Sequence, residues 1–379
     1  MDNYCSQKFW FLGVNIEKQE TQSCCTATPA KVDIEWIKNH SGQLFNTSDL
    51  KSERELLLAG DRVSSCNVCW KSEDIGVMSR RQKTNSQLRT HTDINATPTV
   101  LNILIGSDCN LTCSYCCKQF SSSWAADIVN NGEYQVSDPH RYTMTQKDKV
   151  IYKLSQKEIL KSDGRSILLD EIGLLSSETI LISGGEPFLN LDLFNLVSKL
   201  SFSKSLEIYT GLGVNTQRLT NEIEKIKEIP NIVLVVSAEN IGPYYEFNRY
   251  GNSYINFLNN LEIIKKSGIP FKFAATLSNI TLFGLIDFVN EFEEHDITFN
   301  ICNDPNFLSI NVLDDESKFN LVNSLTTIES KIPTLIESIN TPCSQKQKQE
   351  AAVFIKEFAS RRNLSLNIFP ESFINWINE

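Results

Sequence analysis

Between residues 97 and 305 the apolar positions alternate between two patterns. Short, nearly continuous apolar runs occur at "TVLNILIG" (99–106), "TILISGG" (179–185), "LEIYTG" (206–211), "IVLVVSAE" (232–239), "FKFAATLS" (271–278) and "ITFNIC" (297–302). Between them lie longer stretches with apolar residues at helical spacing. One is "YINFLNNLEIIKKSG" (254–268), which Gly268 brings to a stop. Buried strands separated by helices predict a parallel sheet covered on its faces. Six such units predict an open barrel related to the eight-fold one, with its chemistry at the carboxyl ends of the strands.

The flanks read differently. "CSQKFWFLGVNIEKQETQSCC" alternates as a β-hairpin does, bringing Cys5 towards Cys24 or Cys25. "NTSDLKSERELLLAG" (46–60) reads as a helix capped by Asn46, Thr47 or Ser48 and ended by Gly60, leading into "CNVC", Cys66 to Cys69. After 305, "DESKFNLVNSLTTIESKIPTLIESI" and "QKQEAAVFIKEFASRR" read as helices packed on the barrel. The predicted fold is therefore α/β: a partial (βα)6 TIM-like barrel over 97–305, a small cysteine-rich α+β module over 1–96, and a helical segment over 306–379.

Composition narrows the partners. The 379 residues are 41% hydrophobic and 22% charged, the profile of an ordinary globular chain. A net charge of -10 and a pI near 5.1 argue against broad electrostatic binding of nucleic acid. The one basic stretch, "SRRQKTNSQLR" (79–89), reads as a solvated linker, with a phosphate contact as the alternative. The start, "MDNYCSQKFW", lacks the apolar core of a signal peptide, and no apolar run nears the roughly 20 residues that span a bilayer. Eleven cysteines, an odd number, in such a chain point to metal binding in a reducing cytoplasm rather than to a disulfide scaffold.

The densest cysteine group is "CNLTCSYC" (109–116), after the first apolar run. Zinc modules are built from cysteine pairs, and a self-contained iron–sulfur cube wants four thiolates. Three thiolates on a four-iron cluster leave one iron open for chemistry. "GGEP" (184–187) follows the second run, "TGLGVN" the third, and "SAEN" ends the fourth. Four polar or glycine-rich segments thus share one rim. No ligand spacing joins the four histidines. Cys117 reads as a spare buried thiol, and Cys302 and Cys343 as core residues.

Cys-x3-Cys-x2-Cys after the first strand, with Tyr115 before the last cysteine and "GGEP" after the second strand, resembles the radical S-adenosylmethionine (SAM) superfamily. The resemblance covers about 97–305. It implies that Cys109, Cys113 and Cys116 hold a [4Fe–4S] cluster whose open iron binds SAM. It further implies reductive cleavage of SAM to a 5′-deoxyadenosyl radical that abstracts hydrogen from a substrate, with flavodoxin or ferredoxin as reductant. Gly184 and Gly185 would let the backbone approach the methionine end of SAM, and Glu186 would take its ammonium. Tyr115 would lie on the adenine side, Ser237 would reach the ribose, and Arg249 would take the carboxylate. The plain structural alternatives are a strand-end cap for Ser237 and a surface ion pair for Arg249. The family's glycine-rich adenine motif has no counterpart in "FAATLSNITLFG".

The N-terminal cysteines resemble the SPASM/twitch auxiliary-cluster modules of this superfamily, which commonly follow the barrel rather than precede it. The resemblance implies a second [4Fe–4S] cluster on Cys5, Cys24 (or Cys25), Cys66 and Cys69; zinc fits the same four ligands, and free thiols are the remaining alternative. The implied substrate is a peptide or small metabolite. A modifier of nucleotides or RNA is a second reading, and a non-catalytic iron–sulfur or zinc interaction protein a third.

Overall fold

The computed structural model describes the chain except for residues 1–2, 75, 77, 88–90, 139, 147, 150–162 and 333. In chain order its strands are β1 (Phe11–Asn15), β2 (Glu20–Gln22), β3 (Ala30–Lys31), β4 (Val100–Leu104), β5 (Thr112–Cys113), β6 (Ser176–Ser183), β7 (Ser201–Thr210), β8 (Ile232–Ser237), β9 (Arg249–Tyr250), β10 (Phe271–Leu277) and β11 (Ile297–Ile301). The six apolar runs are β4, β6, β7, β8, β10 and β11. The architecture is α/β with parallel strands, consistent with a partial TIM-like barrel, and helices close the chain. Among the described residues, no helix is long and apolar enough to cross a membrane.

Two compact units divide the chain. One comprises Met1–Gly106, Leu160–Ile208 and Glu228–Val233; the other comprises Ser107–Ile159, Tyr209–Lys227 and Leu234–Glu379. In the first, β1, β4, β6 and β7 run parallel, and their inward residues align in register. Leu12 stands beside Leu101, which stands beside Ile180 and then Leu206; Val14, Ile103, Ile182 and Ile208 form the next row. All eight are fully buried. Each such side chain contributes about 1.5–3 kcal/mol of apolar burial. The predicted hairpin is present, with β1 antiparallel to β2 and Gly13 opposite Gln22. Its first strand also extends the parallel ladder, which alternation within the hairpin alone does not reveal.

The helix expected at 46–60 runs Ser48–Ala59, with Thr47 as N-cap and Gly60 at φ 90° as C-cap. The basic stretch is not a linker. Arg80–Gln87 is helical, and Arg81 is buried, its Nη2 2.6 Å from Glu73 Oε2 and its Nη1 donating to Tyr4 O at 2.7 Å. An arginine spent on internal acceptors presents no charge to a phosphate. Residues 88 and 89 of that stretch lie outside the described residues.

In the second unit, β8, β10 and β11 run parallel, with Val236 beside Phe273 and Phe273 beside Ile297. Helix Tyr254–Ser267 buries Phe257, Leu261 and Ile264 and ends at Gly268. A short antiparallel ladder joins β5 to β9. The first of the two C-terminal helical stretches breaks into Asp315–Leu325, a 3-10 turn Thr326–Lys331 and Leu335–Asn340; the second forms Gln345–Arg361.

Candidate functional site

The cysteine loop belongs to the second unit and is pinned along its length. Cys109 N donates to Ser122 Oγ at 3.1 Å, while Ser123 Oγ donates to Cys109 O at 2.7 Å. Asn110 Nδ2 donates to Gly213 O, and Ser121 Oγ to Leu111 O. Trp124 Nε1 donates to Cys113 O at 3.0 Å, and Tyr142 OH to Cys116 O at 3.2 Å. Gly251 lies against this loop with φ 107°, and a Cβ there would stand 2.5 Å from Asn110 O. Only glycine fits that backbone and that gap.

The ladder between β5 and β9 sets Cys113 opposite Arg249. Arg249 Nη1 lies 3.9 Å from Cys113 Sγ, and Nη2 lies 2.6 Å from Glu239 Oε2. Nη2 also donates to Tyr115 OH, which itself donates to Glu239 Oε2 at 3.1 Å. The side chains of Arg249 and Glu239 are 3% and 1% exposed, so this is no surface ion pair. Burial opposes the charged guanidinium, but Glu239, Tyr115 and Cys113 outweigh it and hold the Arg249 pKa well above its ordinary value. Two polar atoms of the pair, Glu239 Oε1 and Arg249 Nε, are buried without a hydrogen-bond partner among the described residues. A buried pair that leaves one donor and one acceptor unsatisfied is suited to a ligand carrying both kinds of group.

Behind the loop, Ser114 Oγ donates to Asn248 Oδ1, and Asn248 Nδ2 donates to Asn240 Oδ1. Sequence reasoning missed Glu239, Asn240 and Asn248. The first two stand in the rim segment "SAEN", so the position marked them although the pattern gave them no role. Ser237 is half-buried at the end of β8, beside Ala274.

The chemistry of the donor set fits a four-iron cluster. Burial, then the neighbouring Cys117, Cys113 and Cys109, push the Cys116 thiol well above its usual pKa. Thiols crowded closely enough to oppose one another's ionisation suit a cationic centre that compensates them. Among the described residues, no three His, Cys, Asp or Glu side chains converge as donors to a single ion. A cube takes one thiolate per iron at its corners, so its ligands need not converge on one point. Cys117 is buried, with Arg141 Nη1 3.8 Å from its Sγ. Cys302 is buried and Cys343 half-buried.

"GGEP" belongs to the first unit. Gly184 and Gly185 have φ 91° and 51°, and a Cβ on Gly184 would stand 2.8 Å from Gly106 O. Glu186 is buried and caps the turn Pro187–Leu189, its Oε1 accepting from Phe188 N at 3.2 Å.

Three of the N-terminal thiols, Cys5, Cys24 and Cys66, neighbour one another in the first unit. Cys5 and Cys66 share an apolar cluster with Leu57, Val63 and Trp70. Burial, then Cys24 and Cys66, push the Cys5 thiol up to about 12. Cys69 is buried one turn after Cys66. Cys24 is buried and Cys25 exposed, which favours Cys24 as the inward donor. Hydrogen bonding from the Cys25 thiol lowers Cys24 to about 5. None of the eleven cysteines forms a disulfide.

A family model described as the radical SAM superfamily matches residues 103–294, just over half of the 379. No curated protein matches the sequence. Among solved structures, native anSMEcpe with bound AdoMet and Cp18Cys peptide is 16% identical, with a TM-score of 0.35, over 64% of this chain and 62% of that one. Streptococcus suis SuiB bound to precursor peptide SuiA is 12% identical, with a TM-score of 0.35, over 86% of this chain and 70% of that one. The chain thus spans less than two thirds of the anSMEcpe chain.

Proposed function

The chain belongs to the radical SAM superfamily, and from that premise we propose that it is an enzyme acting on a peptide by hydrogen abstraction. The superfamily implies a [4Fe–4S] cluster and SAM. When bound, the cluster supplies the electron that cleaves SAM and generates the hydrogen-abstracting radical. Cys109, Cys113 and Cys116 would hold it.

The remaining roles follow from the side chains. Arg249 takes the carboxylate of SAM through Nε, the donor it leaves unpaired, while Glu239 fixes the guanidinium plane. Tyr115 braces that pair through its hydroxyl and faces the adenine side. Ser237, in the same unit, serves the ribose; the ammonium role of Glu186 and the backbone approach at Gly184 and Gly185 stand as what the family resemblance implies. The observation that carries this reading is the buried Cys113–Arg249–Glu239–Tyr115 network, which joins a cluster thiol to a polar pair with open valences.

Residues 1–96 form the auxiliary module in this reading, 97–305 the barrel and 306–379 a helical segment. Cys5, Cys24, Cys66 and Cys69 would hold a second [4Fe–4S] cluster. The protein works in the cytoplasm with flavodoxin or ferredoxin as reductant. A peptide is the proposed substrate because modules of this kind accompany many barrels of the superfamily that act on peptides. A short peptide encoded beside the gene is expected to change mass on incubation with the reduced enzyme and SAM, raising 5′-deoxyadenosine above the substrate-free rate. A nucleotide or RNA that does so in its place would establish the other reading.

A further inference from the structure

Lys8 is the least expected side chain in the N-terminal module. It lies in the 3-10 turn Ser6–Phe9, directly after Cys5, with its N–H on Cys5 O at 3.4 Å. Its side chain is fully buried. Nζ donates to Glu53 Oε2 at 2.7 Å and to Ser65 Oγ at 3.0 Å. Glu53, on helix Ser48–Ala59, also accepts from Ser23 Oγ at 3.0 Å and from Ser65 Oγ. Ser23 precedes Cys24, and Ser65 precedes Cys66. One ion pair, its lysine fully buried and its glutamate 21% exposed, is therefore tied to the three chain segments that carry Cys5, Cys24 and Cys66.

Burying an ammonium costs several kcal/mol, and neutral hydroxyls or amides would tie three segments together at less cost. What a neutral strut would not supply is charge beside the thiols. Lys8 sets a positive charge, and Glu53 a negative one, against the turns that carry Cys5, Cys24 and Cys66. The two members of the pair thus push the same centre in opposite directions. Reduction of a metal–thiolate centre adds one negative charge, which a buried cation favours and a buried anion disfavours.

We propose that the Lys8–Glu53 pair sets the reduction potential of the N-terminal four-thiolate centre, an inference that rests on reading that centre as an iron–sulfur cluster. The two charges act with opposite sign. Lys8→Met leaves Glu53 alone beside the centre and makes it harder to reduce; Glu53→Gln leaves Lys8 alone and makes it easier.

The test uses the full-length chain with Cys109, Cys113 and Cys116 changed to Ala, so that only the N-terminal centre reports. Reconstituted anaerobically with iron and sulfide, this protein is titrated with dithionite and followed by electron paramagnetic resonance, with and without each second change. The expected result is a shift of tenfold or more in the reduction equilibrium, about 59 mV for one electron, downward in Lys8→Met and upward in Glu53→Gln. An iron-loaded centre whose potential is unchanged in both, or moves the same way in both, overturns the proposal and leaves the cluster reading intact. A centre that takes zinc and no iron removes the cluster reading and the proposal with it. If Lys8→Met does not fold, Glu53→Gln decides alone: an upward shift sustains the proposal and an unmoved potential overturns it.

Discussion

Cys113 and Arg249 are Cα partners across the β5–β9 ladder, and the guanidinium that reaches the thiol at 3.9 Å also grips Glu239 at 2.6 Å. The backbone thus couples a proposed cluster ligand to a SAM-binding candidate. Arg249→Lys keeps a positive charge but not a planar fork able to serve a thiol, a carboxylate and a phenol together. Its expected effect is a fall in SAM affinity of about tenfold or more, about 1.4 kcal/mol, with iron content preserved. Equilibrium binding of SAM to the cluster-loaded variant measures this. Unchanged affinity would remove Arg249 from the site.

Gly251→Ala tests the fit of the cysteine loop. A methyl group 2.5 Å from Asn110 O, on a backbone at φ 107°, has to push the loop away. Iron retained after desalting should drop well below that of the wild type while the secondary structure by circular dichroism stays the same. Full iron retention would mean that the loop yields without cost.

Much of this was legible in the sequence, for reasons that can be named. The six parallel strands announced themselves because rows such as Leu101–Ile180–Leu206 need apolar residues at facing positions of successive strands. The cysteine spacing and "GGEP" are local, so they were visible as strings. Glu239 was not assigned because its meaning lies in Arg249, a partner ten residues away that only the β9 turn brings back. Lys8 was passed over because nothing local distinguishes a buried lysine from a solvated one. The β1–β4 pairing escaped because a strand in a hairpin gives no sign of a second, parallel neighbour. The basic stretch at 79–89 misled because charge marks exposure on average, and Arg81 is an exception held by Glu73.

Arg54 anchors the N-terminal module. Fully buried, it donates to Lys8 O, Asn46 Oδ1, Ile94 O and Phe45 O, and its ring partner Phe45 lies 4.1 Å away. Arg54→Ala strands four acceptors in the interior, at about 1–3 kcal/mol for an unsatisfied group. Thermal unfolding should begin several degrees lower than in the wild type. An unshifted transition would contradict the anchoring role.

The N-terminal thiols predict a metal count. Two cubes give about eight irons per chain, and Cys66→Ala with Cys69→Ala should leave about four. SAM cleavage without substrate should survive this double change, whereas conversion of the substrate should fail. About four irons and one zinc in the wild type would make the module a structural clip.

The most direct test of the whole account is 5′-deoxyadenosine released from SAM by the anaerobically reconstituted, dithionite-reduced protein, quantified by liquid chromatography. The wild type should release it together with methionine, and the variant with Cys109, Cys113 and Cys116 all changed to Ala should release none. Equal release from the triple variant, or none from a wild type carrying its full complement of iron, would contradict the account.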